Sequence, residues 1–118
     1  IELRDFCTIA PAVNIFSSSD NYDGSTLTNP MVTIKFSKPQ PSKVTLGKHV
    51  IIGTGSVILP GCIIGEGSSV GALSLINRSL KPWEVYAGIP AKKIANRKKK
   101  LLEDEKVFLK EYKNENKN

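Results

Sequence analysis

Aliphatic residues recur along this chain at intervals of six. Six of them follow one another in unbroken steps, at Leu46, Ile52, Ile58, Ile64, Val70 and Ile76. A small or β-branched residue stands four places after each of the first five, and glycine often follows the aliphatic residue directly. The same spacing occurs upstream, at Leu3, Ile9 and Ile15. The dominant pattern is therefore a tandem hexapeptide.

A period of six does not fit the 3.6-residue turn of a helix, and repeated glycines would cost a helix about 1 kcal/mol each. One unbroken strand of this length is implausible as well. Short strands wound into a coil satisfy the pattern, because each hexapeptide then forms one flat face. Its aliphatic side chain points inward, and the small residue fits the corner. The pattern predicts an all-β solenoid whose open ends need covering.

The two cysteines, Cys7 and Cys62, both occupy the small inward position of the repeat. We expect compact apolar core residues there, rather than catalytic thiols, a disulfide framework or metal ligands. A reducing, cytoplasmic setting is the default for such cysteine usage, and no apolar run is long enough to span a bilayer. The chain opens on Ile1 in mid-pattern, which leaves open that it is part of a longer protein.

The repeat loses its phase in a polar segment, at about residues 20–43, which is rich in Pro, Ser, Thr and Asn. We expect an arm that leaves one corner of the coil and reaches a neighbouring subunit, with a disordered insertion as the alternative. The predicted organisation is a hexapeptide β-helix over residues 1–88, interrupted by this loop, and a carboxyl-terminal extension over residues 89–118. In the extension, Ile94, Leu101 and Phe108 are spaced seven apart, which predicts a basic amphipathic helix that caps the coil or packs on a neighbour.

The formal net charge of +6 is concentrated in that extension. Residues 92–118 hold ten Lys or Arg and five Asp or Glu, whereas the remaining 91 residues hold seven and six. A nucleic-acid partner would rest on this tail alone, and a lysine-rich helix face is usually just solvated. We therefore expect no nucleic-acid partner.

Two strings carry a family resemblance: LRDFCTIAPAVNIF and VTLGKHVIIGTGSVILPGCIIGEGSSVGALSLINRSLKPWEVYAGIPAKKI. Together with the GIPAK ending at residues 88–92, they resemble the left-handed β-helix acyltransferases, and in particular the bacterial maltose, galactoside and polysaccharide O-acetyltransferases. The resemblance implies a left-handed parallel β-helix in a homotrimer, with active sites in the clefts between subunits. It implies acetyl-CoA as co-substrate without a metal, and transfer of an acetyl group to a sugar hydroxyl for surface polysaccharide.

Two alternatives stay open beside O-acetylation. One is an N-acetyltransferase of a nucleotide-linked amino sugar, and the other is a trimeric structural module that has lost the chemistry. A γ-type carbonic anhydrase shares this coil but needs three histidines around zinc, and this chain contains one histidine. That alternative is excluded.

The resemblance also implies site residues. The family's coenzyme A contacts correspond to Thr54, Ala72, Asn77, Arg78 and Lys92. Thr54 and Ala72 match contacts to the pantetheine arm, whereas Asn77 and Arg78 match the nucleotide end and Lys92 the 3′-phosphate. Cations suit a phosphate-bearing ligand.

The family's catalytic histidine is replaced here by Asp20, which begins the protruding loop. Asp20 is the candidate general base, although an ordinary Asp has a pKa of about 4 and is a weak base at neutral pH. Asp23 could raise that pKa as an acidic neighbour, and Tyr22 could orient the acceptor. Tyr22 and Asp23 are both candidate substrate-binding residues. Two alternatives stay open: Asp20 could hold a histidine from elsewhere, or a residue upstream of Ile1 could act as the base. His49 is expected to be a plain surface residue at an outward corner.

Overall fold

The computed structural model describes residues 1–19, 22–28, 31 and 40–116. Short strands dominate it, and one helix lies at the carboxyl end. Strands β1 to β13 are Glu2–Leu3, Thr8–Ile9, Asn14–Ile15, Ser18–Ser19, Gln40–Pro41, Thr45–Leu46, Ile51–Ile52, Val57–Ile58, Ile63–Ile64, Ser69–Val70, Leu75–Ile76, Glu84–Ala87 and Lys92–Asn96. Helix α1 is Leu101–Glu115.

Three sheets with parallel pairing surround one core. The first contains β1, β6 and β9, the second β2, β7, β10 and β12, and the third β3, β8 and β11. Leu46 lies opposite Ile64, so one coil takes 18 residues, or three hexapeptides. We call the turn from the first sheet to the second the first corner, the next turn the second corner, and the turn back to the first sheet the third corner. The predicted architecture of mostly short strands with one carboxyl-terminal helix is confirmed.

The core consists of the positions that the repeat predicts. The inward aliphatic residues are at most 3% exposed, and they are Leu46, Ile52, Ile58, Ile64, Val70 and Ile76. The small residues four places later are also at most 3% exposed, and they are Val50, Ser56, Cys62, Ser68 and Ser74. Removing each large aliphatic side chain from water contributes about 1.5–3 kcal/mol to folding. Burial also raises the pKa of the Cys62 thiol, which agrees with a structural rather than a nucleophilic cysteine.

The inward serines are satisfied by backbone groups. The Ser74 hydroxyl donates to the carbonyl of Gly71 at 2.7 Å, and the Ser68 hydroxyl donates to the carbonyl of Lys81 at 2.9 Å. The Ser56 hydroxyl likewise donates to the Gly71 carbonyl, at 3.1 Å. Since buried hydroxyls are costly only when unbonded, serine is compatible with these narrow corners.

The first coil follows the repeat but is less buried than the others. Leu3 is 51% exposed and Ile9 is 37% exposed, although each pairs in register with a fully buried residue of the second coil, Leu46 and Ile52 respectively. The described residues place no strand on the far side of this coil. The end face is therefore apolar and open.

The chain leaves the coil after β3. Strands β4 and β5 pair antiparallel, with Ser18 opposite Pro41, and they form the base of the insertion. The backbone N–H of Ser42 donates to the carbonyl of Ser17 at 2.6 Å. The chain thus departs and returns at one place on the coil.

A hairpin spans the predicted start of the carboxyl-terminal extension. Strand β12 joins the second sheet by parallel pairing with β10, and β13 returns antiparallel to it. Ile94 lies on β13, so its assignment to the helical stripe was wrong: pairing with β12 holds this segment extended. Helix α1 has Glu103 and Asp104 in its first turn and Lys113 in its last, which suits the helix dipole. Among the described residues, no helix has the length and apolar character that crossing a membrane requires.

Helix α1 packs against the first corner of its own coil. The Phe108 ring meets Phe6 edge-on at 6.1 Å between centroids, and a Glu105 carboxylate oxygen lies 3.2 Å from Nε2 of His49. The guanidinium of Arg97 donates to the carbonyls of His49 and Gly67. His49 is only 7% exposed, so the expectation of a surface histidine was wrong. It does lie at an outward corner, but the helix covers that corner.

Candidate functional site

Thr54 and Ala72 lie one coil apart at the second corner. The backbone N–H of Leu73 donates to the Thr54 carbonyl at 2.8 Å. The Thr54 hydroxyl donates to the carbonyl of Pro11, in the coil before it, at 2.6 Å. Ala72 is exposed, and its backbone approaches Gly53 so closely that a Cβ there would come 2.5 Å from the Ala72 nitrogen. The second corner thus presents a tightly stacked backbone edge with the Thr54 hydroxyl at its surface.

Asn77 and Arg78 lie elsewhere, at the third corner, directly after β11. Both are exposed. The third sheet separates this corner from Thr54 and Ala72. Within one chain, therefore, the predicted coenzyme A residues form two sets on two different edges of the coil.

Arg78 lines a cleft of about 300 Å³ at the carboxyl end of the coil, which we call the end cleft. Its lining residues are Arg78, Ser79, Lys81, Glu84, Tyr86 and Lys93. Three of them are cations and one is a carboxylate, so the cleft is positive overall. Such a site favours phosphate oxygens. Lys92 is exposed and is not among these lining residues, so of the two adjacent lysines it is Lys93 that lines the cleft with Arg78.

A hydrogen-bonded network forms one wall of the end cleft. The hydroxyl of Tyr86, a residue only 4% exposed, donates to a Glu84 carboxylate oxygen at 2.5 Å and accepts the backbone N–H of Lys81 at 2.9 Å. The Lys93 ammonium lies 3.2 Å from the other Glu84 oxygen. The Tyr86 hydroxyl, with help from Lys93, lowers the pKa of Glu84, whereas burial raises the pKa of Tyr86. Lys93 is thus held by an ionised partner that is itself fixed.

The loop residues that the structure describes do not assemble a catalytic geometry. Asp20 lies outside the described residues, so its role as a base stays a prediction. Tyr22 is 90% exposed. The Asp23 carboxylate accepts the backbone N–H of Ser25 at 2.8 Å, and this hydrogen bond lowers the pKa of Asp23. Asp23 is therefore an ionised residue at neutral pH.

A larger cleft of about 530 Å³ lies beside the first corner, near the open end of the coil. It is lined by Leu3, Arg4, Asp5, Gly47, Lys48 and Glu66. Arg4 and Lys48 already pair with Glu2 and Glu105, at 2.8 and 2.5 Å. Its lining mixes both signs of charge, so it lacks the positive character of the end cleft. Among the described residues, no three His, Cys, Asp or Glu side chains are grouped as metal ligands.

Comparison with known proteins agrees with this architecture. Residues 43–78 match the family model described as bacterial transferase hexapeptide (six repeats). The matched segment contains the six unbroken hexapeptide steps of the chain. This match confirms the resemblance to hexapeptide-repeat acyltransferases that the sequence motifs indicated.

Three relatives of this hexapeptide-repeat protein are informative. It is 43% identical over 108 residues to the dTDP-4-amino-4,6-dideoxy-D-glucose acyltransferase of Escherichia coli, which covers 92% of the chain and 56% of that relative. It superposes with a TM-score of 0.89 and 39% identity on AntD, an N-acyltransferase from Bacillus cereus in complex with dTDP and 3-hydroxybutyryl-CoA, over 93% of the chain and 58% of AntD. It is 36% identical over 70 residues to the galactoside O-acetyltransferase of Escherichia coli K12, which covers 59% of the chain and 33% of that relative.

The hexapeptide-repeat protein thus spans between a third and three fifths of the length of these relatives. Of the six residues that line its end cleft, sequence reasoning named only Arg78, and it missed the hydrogen-bonded network of Glu84, Tyr86 and Lys93. The spacing Glu84–Tyr86 on a strand does place both side chains on one face. That signal would have found the pair, whereas the pairing of Lys93 opposite Tyr86 required the hairpin register.

Proposed function

We propose that this chain is the coil part of an acyltransferase that moves an acyl group from coenzyme A to the amino group of a nucleotide-linked sugar. The observation that carries the proposal is the 43% identity to a dTDP-amino-sugar acyltransferase across 92% of the chain. The superposition on an N-acyltransferase that holds both dTDP and an acyl-CoA supports it. These two relatives favour an amine acceptor over the sugar hydroxyl that the family resemblance alone implied.

The proposed acyl-CoA site uses both corners of a left-handed coil. The end cleft, with Arg78 and Lys93, would take a phosphate of the nucleotide end, and the second corner, with Thr54 and Ala72, would line the pantetheine arm. Because the two corners are separated by the third sheet, the arrangement needs the second corner of one copy to face the third corner of the next. A homotrimer of coils meets that requirement.

The chemistry is direct transfer without a covalent enzyme intermediate. The amine nitrogen attacks the thioester carbonyl carbon, so that a C–N bond forms and the carbonyl oxygen becomes an oxyanion that backbone N–H groups stabilise. Collapse of this intermediate breaks the C–S bond. The nitrogen loses a proton to a base, and coenzyme A leaves as the thiol once it takes up a proton. A neutral amine is already nucleophilic and needs less help from a base than a hydroxyl does. A weak base such as Asp20 is therefore a smaller disadvantage for an amine acceptor.

The test is an acceptor comparison with the protein and acetyl-CoA. Release of free thiol is followed with dTDP-4-amino-4,6-dideoxyglucose and with the matched nucleotide sugar that carries a 4-hydroxyl. We expect thiol release and an N-acyl product with the amine alone. Turnover of the hydroxyl acceptor at an equal or greater kcat/KM would overturn the proposal.

Transfer to a sugar hydroxyl is the second candidate, since the chain is 36% identical over 70 residues to a galactoside O-acetyltransferase. A galactoside in the same assay tests it directly. Calorimetric titration with coenzyme A separates both enzymes from an inactive structural module, because such a module has no reason to bind the thiol carrier.

A further inference from the structure

Positive charge is concentrated in one part of the chain. Residues 78–100 contain eight Lys or Arg and a single acidic residue, Glu84, which gives this segment a charge of +7. The rest of the chain sums to −1. The charge of the protein therefore lies at the carboxyl end of the coil and on the hairpin that follows it.

Much of this charge follows one exposed sheet edge. Strand β13 is the last strand of the second sheet, and all five of its residues are exposed. Residues 98–100, all lysine, follow β13 after Arg97 and are exposed too. We call Ile89, residues 92–94 and residues 98–100 the cationic edge. Lys93 at its centre also lines the end cleft.

The cationic edge carries two large aliphatic side chains in water. Ile89, in the turn between β12 and β13, is 74% exposed, and Ile94 on β13 is 65% exposed. Lysines with neighbouring exposed aliphatic side chains form a surface that suits a bilayer interface, where the chains enter the headgroup region and the ammonium groups meet lipid phosphates. Single-stranded nucleic acid would instead call for exposed aromatic rings. Neither aromatic ring beside these lysines is exposed in this way: Trp83 is half-buried with Lys99 over its face, 5.6 Å from the centroid, and Tyr86, opposite Lys93, is only 4% exposed.

The edge is also held rigidly. Four residue pairs join β12 and β13, and the backbone N–H of Arg97 donates to the carbonyl of Trp83 at 2.9 Å. The Arg97 guanidinium then binds two carbonyls of the first corner. The lysines at residues 98–100 therefore follow a hairpin that is fixed to the coil. This attachment lowers the conformational entropy that is lost on docking.

We propose that the cationic edge docks this protein onto a membrane surface that contains anionic phospholipid. Each lysine near such a surface strengthens binding about fivefold, which corresponds to about 1 kcal/mol. The docking is peripheral, and it is separate from the proposed acyl transfer because it needs no coenzyme A.

The test is sedimentation of the full chain with phosphatidylcholine vesicles, with and without phosphatidylglycerol, at low and high salt. We expect binding to the anionic vesicles that weakens as salt rises. Replacing residues 98–100 with glutamine should weaken it by about two orders of magnitude. The matched control replaces Lys106, Lys110 and Lys113 of α1 with glutamine, which removes the same formal charge and should change binding by less than about threefold.

A second variant, Ile94→Ser, tests the apolar component, and we expect it to weaken the binding that persists at high salt. Equal losses in the two triple variants would overturn the proposal, because net charge would then explain the binding. The proposal would also be overturned if the protein did not bind anionic vesicles. The same holds if it bound a single-stranded oligonucleotide more tightly than vesicles and this binding depended on the same lysines. Acyl transfer measured without vesicles should be unchanged in the 98–100 variant.

Discussion

The indole of Trp83 occupies the space that a side chain on Gly67 would need. Both residues lie at the first corner, in successive coils, and both have a positive φ, of 57° and 72°. Because Gly67 has no Cβ, the Trp83 indole can approach the ring of His49, which lies one coil beyond Gly67. The centroids of the two rings are 6.3 Å apart. His49 in turn stacks on Phe6 at 5.1 Å. One absent side chain thus lets rings from three coils form a column beneath helix α1.

Gly67→Ala should therefore destabilise the protein by about 2–4 kcal/mol, since the new Cβ adds backbone strain and displaces a rigid ring. The control is Gly61→Ala, which has a similar φ of 81° but meets only the Ser42 side chain, at 3.1 Å. We expect the control to cost about 1 kcal/mol. Urea unfolding measures both, and equal losses would show that φ alone matters and that the Trp83 contact does not.

Two neighbouring isoleucines test the inward direction of the repeat. Ile64 is fully buried and Ile63 is 59% exposed, although both belong to β9. Ile64→Ala should cost about 2–5 kcal/mol of unfolding free energy because it leaves a cavity, while Ile63→Ala should cost less than about 1 kcal/mol. The assignment of faces would be wrong if the second substitution proved the more damaging in chemical denaturation.

The contact between α1 and the coil should depend on pH through Glu105. Its hydrogen bond from the Lys48 ammonium lowers the pKa of Glu105 below its ordinary value, and His49 adds to this effect. A carboxylate with a depressed folded-state pKa stabilises the fold above its unfolded pKa, and that stabilisation is lost as pH falls through the folded value. Glu105→Gln should thus lower Tm at pH 7, and the difference from the parent should shrink below about pH 4.5.

The control for that experiment is Glu111→Gln, an exposed residue on the same helix. Its Tm should follow that of the parent protein at every pH. A difference between Glu105→Gln and the parent that is constant from neutral to acidic pH would contradict the ion-pair account.

Under the proposed function, the end cleft distinguishes two adjacent lysines. Lys93→Gln should weaken coenzyme A binding about tenfold, as expected for a charge-assisted contact to phosphate, and should leave 3′-dephospho-coenzyme A less affected. Lys92→Gln should weaken binding less than about threefold. Calorimetry decides between them, and the opposite order would restore the residue that the family resemblance indicates.

The predicted base is tested by Asp20→Asn. If this carboxylate accepts the proton of the acceptor, kcat should fall about a hundredfold with little change in the KM for acyl-CoA. Asp23→Asn is the comparison. Because Asp23 is predicted to contact the acceptor, this substitution should change the KM for the acceptor more than it changes kcat. An unchanged kcat in the Asp20 variant would remove Asp20 from the mechanism.

The six-residue period was sufficient to predict the inward positions. Each face of the coil is formed by a strand of two residues, and the side chain of only one of these residues can point into the core. The repeating aliphatic residue is therefore buried in every complete coil. The same logic placed Cys62 inside, where it is 3% exposed. Family resemblance then supplied the two sets of candidate coenzyme A residues, but it could not reveal that they lie on different corners, because corner assignment follows from the three-sheet winding.

The sequence by itself therefore determined which side chains enter the coil, because a strict period repeats one local environment in every hexapeptide. The tertiary structure decided what happens where the period ends. Pairing with β12 drew Ile94 into an edge strand and brought Lys93 beside Arg78, and the return of α1 across the first corner buried His49. The first two outcomes depend on the pairing of two successive strands and the third on contacts between segments far apart in the chain, and neither kind of contact leaves a periodic trace in the sequence.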